Sequence, residues 1–145
     1  MQRYFEDLEI GATRTSGTLT VTEESIIAFG REYDPQTFHT DPEAAKSTIF
    51  GRLIASGWQT TAWTMRLIVE SGGGGLGMGV DELRWKKPVF PGDTLHVVSE
   101  VLEKRPSATR PSGIVRMRFT TYNQNDEAVL TEITNVMFPR RPDAA

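Results

Sequence analysis

The chain has 145 residues, enough for one domain around a single sizeable core, and no cysteine, which excludes disulfides, thiolate zinc sites and a cysteine nucleophile. A net charge of -3 and a pI of about 5.4, with Lys and Arg scattered rather than striped, argue against nucleic acid as the main partner. No apolar run nears the roughly 18 residues of a membrane span, and the start MQRYFEDLEIG lacks the basic and apolar regions of a secretory signal, so a cytoplasmic protein is expected.

In chain order, SGTLTVT (16–22) reads as a short strand. Thr22 can then cap a helix whose first turn holds Glu23 and Glu24, acidic residues that suit the helix dipole. Gly30 suggests a stop near Tyr33, and Asp34-Pro35 breaks any continuation, because a residue before proline is pushed out of the helical region. Asp41-Pro42 starts a second, short helix through Lys46. Residues 57–70 form the strongest helical pattern: Trp58, Ala62, Met65 and Val69 repeat on one face, Leu67 and Ile68 widen it, and Gly72 stands ready to terminate it. That face is expected to be the buried one.

The period then changes. LGMGVDELRWKKPVF, DTLHVVSEVLEK, GIVRMRFTTYNQ and EAVLTEITNVMF are rich in β-branched and aromatic residues, and Val115, Met117 and Phe119 alternate with Arg116, Arg118 and Thr120. Pro91-Gly92-Asp93, Pro111-Ser112-Gly113 and Asn123 to Asp126 are turns. Helices first, then hairpin-linked strands, give an α+β class: a curved antiparallel sheet of about five strands wrapped round the 57–70 helix. One domain, 1–145 with a core of about 5–138, is expected, and the tail RRPDAA should fray.

Chemistry concentrates in YDPQTFHTDPEAA, where Asp34 and His39, one of two histidines, lie five residues apart. A histidine carries protons near neutral pH and a carboxylate can fix its tautomer or share the work. On spacing alone the pair equally suits a turn-capping Asp and a surface His. A metal set of Asp34, His39, Asp41 and Glu43 is disfavoured, because it lacks the nitrogen and sulfur ligands of zinc or iron sites and the spacing of a calcium loop. His96 fits a plain strand position. In FGRLIASGW, Gly57 opens a helix whose free N–H groups could receive an oxyanion, or else Ser56 caps the helix and Gly57 eases packing. SGGGGLGMG follows a helix, not a strand, so it lacks dinucleotide-loop geometry. Arg84, Lys86 and Lys87 form a small basic cluster able to meet an anionic small molecule.

Taken in order, YDPQTFHTDPEAA, FGRLIASGW and DELRWKKPVFPGDTL resemble the MaoC-like dehydratases, relatives of R-specific enoyl-CoA hydratases, over about residues 5–138. The resemblance implies a hot-dog fold, a homodimer or higher oligomer, and hydration of a trans-2-enoyl thioester to the (R)-3-hydroxyacyl thioester. No metal or separate cofactor is implied, since coenzyme A or an acyl carrier arrives with the substrate. Asp34 and His39 match the family's catalytic pair and Gly57 its oxyanion glycine. Ser56 stands where many members have His, and Trp58 replaces a smaller residue, a change expected to reshape the acyl pocket. An acyl-thioester hydrolase or a silent acyl-thioester binder on the same fold are the alternatives.

Overall fold

A computed structural model describes residues 3–143. Six strands form the antiparallel sheet: β1 (Thr13–Thr15), β2 (Leu19–Thr20), β3 (Leu76–Trp85), β4 (Thr94–Pro106), β5 (Ser112–Tyr122) and β6 (Ala128–Pro139). Their order is β1-β4-β5-β6-β3, with β2 paired to β4 beside β1. The four long strands sit where the period-2 segments predict them. β2 falls inside the segment 16–22 that the sequence suggested, whereas β1 precedes it in a stretch read as loop, which raises the count from about five to six.

Four helices precede or interrupt the strands: α1 (Glu23–Tyr33), α2 (Thr37–Thr40), α3 (Pro42–Ala45) and α4 (Gly57–Glu70). Thr22 caps α1 by accepting from the Ser25 N–H at 3.1 Å, and Asp41 caps α3 through the N–H groups of Glu43 and Ala44. α4 ends as expected: Gly72 has φ of +83°, its N–H bonds the Val69 carbonyl, and the Gly73 N–H bonds that of Ile68, a Schellman closure. α2 was not foreseen; it is one turn inside the proline-flanked loop.

The buried face of α4 corrects the sequence reading. Gln59, Thr60, Trp63, Thr64, Leu67 and Ile68 pack inward, whereas Trp58, Ala62, Met65 and Val69 face outward, Trp58 being 59% exposed. The reason is polar: Gln59 Nε2 donates to the Ser25 carbonyl at 2.9 Å and the Thr64 hydroxyl meets that of Thr121 at 2.5 Å, so both side chains find partners in the core, although Gln59 Oε1 is buried without one. A count of apolar positions misses such a face. Against it the sheet presents Leu95, Val97 and Val101 of β4, Val115, Met117 and Phe119 of β5, and Leu130, Val136 and Phe138 of β6.

The tail is also more ordered than expected. Arg140 bonds Glu6 at 3.1 Å and Arg141 bonds Asp7, tying residues 140 and 141 to the N-terminal segment. Ala144 and Ala145 lie outside the described residues.

Candidate active site

Asp34 is the residue at which α1 stops. Its backbone leaves the helical region, as Pro35 requires, and its N–H still bonds the Gly30 carbonyl. His39 sits on α2, 4% exposed. Gly30 makes this possible, because a Cβ there would lie 2.7 Å from the His39 carbonyl oxygen. The glycine read as a helix stop is thus a close approach inside α1.

His39 Nε2 lies 3.2 Å from Asp34 Oδ2, and its Nδ1 lies 2.7 Å from the Ile54 carbonyl oxygen. A carbonyl only accepts, so Nδ1 donates to it, and Nε2 faces the carboxylate, with which it either shares a proton or is bridged by a donor such as water.

Asp34 is itself held on each oxygen. Gln36 Nε2 donates to Oδ1 at 2.7 Å and the Ser56 hydroxyl donates to Oδ2 at 2.8 Å. Burial alone would raise this carboxyl's pKa, but the bonds from Gln36 and Ser56 and the adjacent His39 outweigh it and hold the pKa below the ordinary value. Ser56 is therefore no side-chain cap: α4 has no side-chain hydrogen bond at its N-cap, because the hydroxyl is spent on Asp34. The first N–H groups of α4 have no intrahelical carbonyl to bond.

Gly57 opens α4 against Trp85. A Cβ at Gly57 would lie 2.5 Å from the indole, whose N–H donates to the Thr61 hydroxyl at 3.1 Å. Only glycine lets the ring of β3 lie flat on the helix start. His39, Gly57, Thr60, Trp85, Lys86 and Lys87 share one cleft of about 330 Å³, walled elsewhere by Phe50, Ile54, Val89 and Val129.

The other predicted residues divide. Lys86 lines the cleft; Lys87 does too and pairs with Glu127. Arg84 is not brought there: it lies beside Arg118 and Thr131 and bonds the Leu83 carbonyl. Trp58 does not line the cleft either. It stands edge-on to Trp85 at 5.0 Å between centroids, so Trp85, unnoticed in the sequence, is the indole at the helix start. Of the disfavoured metal set, Asp41 caps α3, Glu43 pairs with Lys46 at 2.9 Å, and no cluster of three ligating side chains occurs among the described residues. His96 stays in β4, stacked on Tyr122.

A model of the MaoC-like domain matches residues 7–138. The chain belongs to the MaoC-like dehydratase family. The MaoC-like dehydratase from Rhodospirillum rubrum superposes with a TM-score of 0.90 at 43% identity, covering 97% of this chain and 99% of that one. The R-hydratase PhaJ1 from Pseudomonas aeruginosa superposes at 0.80 with 30% identity, covering 95% and 86%. A mesaconyl-CoA hydratase of Cereibacter sphaeroides is 44% identical over 68 residues, 47% of this chain and 20% of that protein. A Mycobacterium tuberculosis protein described as a double hot-dog fold superposes at 0.80 with 20% identity, covering 99% of this chain and 46% of that one. The MaoC-like chain is thus a hot-dog domain of a hydratase and dehydratase family.

Proposed function

We propose that the protein hydrates a trans-2-enoyl-CoA thioester reversibly to the (R)-3-hydroxyacyl thioester. The observation that carries this reading is the Asp34 and His39 contact, with His39 Nδ1 held by the Ile54 carbonyl, set beside the uncapped start of α4. Water donating to Oδ2 and Nε2 gives one proton to the pair as its oxygen bonds C3; the pair returns one proton to C2, so the C=C bond is consumed and the elements of water are added. The two groups act as one coupled unit. Charge that moves onto the thioester oxygen during attack is received by the Gly57 N–H, where the helix dipole favours it, an effect of about 3 kcal/mol in comparable sites. The cofactor need ends with the substrate's own coenzyme A, whose phosphates suit Lys86.

The acyl chain then has a course under α4. Ile68 lies about three turns beyond Gly57, about 16 Å along the axis, and lines a narrow, mainly apolar cavity with Val97, Met117, Phe119 and Val136. The outward row of α4 and, on the edge strand β3, Leu76, Met78 and Val80 leave large apolar side chains exposed, which suits a second copy of the chain. No described helix is long and apolar enough to cross a membrane, and a cytoplasmic homodimer fits this reading.

The test is hydration of enoyl-CoA thioesters of varied length and branching, followed at the enoyl absorbance, with free thiol measured in parallel. Loss of enoyl absorbance without thiol release is expected. Thiol release from saturated thioesters would replace the reading with a hydrolase, and inertness with tight binding would leave a binder.

A further inference from the structure

The glycine run after α4 does more than stop the helix: it walls an apolar cavity. A Cβ at Gly73 would lie 2.9 Å from the Ile68 carbonyl oxygen, and one at Gly75 would lie 2.8 Å from Phe138 and Val136, so bare backbone fits against helix and sheet. Ile68, Val97, Phe119, Val136 and Phe138 line the cavity beside it. The space open to water-sized groups is about 40 Å³, room for about three of them. This cavity shares no lining residue with the cleft of His39 and Gly57 and lies toward the other end of α4.

Two arginines from separate segments converge on this apolar space. Arg14 of β1 pairs across the sheet with Ser99, which is buried on the face turned to α4. Its Nη2 donates to the Ser71 carbonyl at the C-terminal end of α4, where a cation suits the helix dipole. That bond uses one of the five donors of a guanidinium. Gly72 leaves space for it, since a Cβ there would lie 3.3 Å from the same nitrogen. Arg3 reaches the cavity from the N-terminal segment and is half-buried, whereas Arg14 is exposed, so the cationic end opens to solvent. Burial and then the charge of Arg14 hold the Arg3 guanidinium below its usual pKa, while Asp7 pulls the other way. Asp7 also accepts from the Tyr4 N–H and from Arg141. Like charges brought together beside an apolar wall destabilise one another, and an anion seated between them relieves both.

We propose that the cavity binds a short aliphatic carboxylate, its chain of about three or four carbons against Ile68, Phe119 and Val136 and its charge held by Arg3 and Arg14. A carboxylate matches the guanidinium fork with two parallel hydrogen bonds, and apolar walls with a few placed polar groups are the usual make-up of a small-molecule site. Two sources present this chemistry. One is a free acid, which needs the cavity alone; the other is the far end of a dicarboxylic acyl thioester, which rests on the hydratase reading.

The test is calorimetry of the full-length protein with pentanoate, 1-pentanol and acetate at constant ionic strength. Pentanoate is expected to bind at least about 10-fold more tightly than the alcohol, which lacks the charge, or acetate, which lacks the chain. Arg3→Gln and Arg14→Gln should each reduce that advantage, and the double variant should abolish it. Absent binding, or equal affinities for pentanoate and pentanol in wild type, which need no variant to measure, would overturn the proposal, as would an unchanged preference in the folded double variant. Dodecanedioyl-CoA and dodecanoyl-CoA separate the sources. Tighter binding of the diacid thioester, lost in the double variant, assigns the carboxylate to an acyl chain; equal affinities beside intact pentanoate binding assign it to a free acid. Pentanoate binding as expected to a protein that hydrates no enoyl thioester would overturn the hydratase reading and leave this site standing.

Discussion

Ser56 and Gln36 show how a carboxylate is kept ionised beside a buried histidine. Each supplies one hydrogen bond to Asp34, and a bond to the charged form favours it. Ser56→Ala should therefore let the Asp34 pKa rise, moving the acidic limb of the kcat/KM profile to higher pH and lowering turnover about 10-fold, a shift that a mere helix cap would not produce. Asp34→Asn and His39→Gln should each cost at least about 100-fold, and the double variant little more than the worse single one. Near-normal turnover in either folded single variant would remove the pair from the mechanism. Glu132 gives a stability prediction of opposite sign to the usual carboxylate. Its folded pKa of about 7 exceeds the ordinary 4.5, so between these values the folded state holds a proton that the unfolded chain has lost. Stability then falls as pH rises through that window, by about 3 kcal/mol for a shift of this size. Melting curves of Glu132→Gln against wild type should diverge as pH rises from about 5 to 8, with the variant the more stable at the alkaline end; parallel curves would show that the carboxyl is not neutral in the fold.

At the scale of elements, the site is a meeting of α1, α2 and α4 with β3, and glycines set the spacings. Gly30→Ala would drive α1 from α2 at the His39 backbone, and even a displacement of about 1 Å can cost roughly 100-fold in rate, so activity should fall far more than the melting temperature suggests. Gly57→Ala should displace Trp85 as well as any bound thioester, which makes its kinetic loss ambiguous unless the indole's position is followed too. The four long strands, the caps at Thr22 and Asp41 and the full span of α4 were legible in the sequence, because alternation, Asp-Pro and glycine punctuation are local signals. The Asp34 and His39 contact was legible through spacing and resemblance. The inward face of α4 was not: Gln59 and Thr64 are buried with tertiary hydrogen bonds to Ser25 and Thr121, and Thr60 with a bond inside the helix, none of which a hydropathy pattern encodes. Trp85 and the bond from Ser56 to Asp34 were illegible for the same reason, since each joins segments 22 or more residues apart.

For the whole molecule, the outward row of Trp58, Ala62, Met65 and Val69 changes what a charge on α4 should do. Met65 is 48% exposed, so Met65→Asp should fold, and under the proposed dimer light scattering should report a dimer for wild type and a monomer for the variant. A variant that stays dimeric would move the interface elsewhere, and one that fails to fold would return Met65 to the core. The chain holds three tryptophans, at 58, 63 and 85, and their places differ in kind. Trp63 is sealed in the core, Trp85 walls the cleft, and Trp58 stands across it on the outward face. The indole pair is consequently a native optical gauge. Red-edge excitation should register a thioester entering the cleft through Trp85 and a second copy arriving through Trp58, over a constant emission from Trp63. With Trp85→Phe and Trp58→Phe as blanks, occupancy and association become separable in one cuvette without a label.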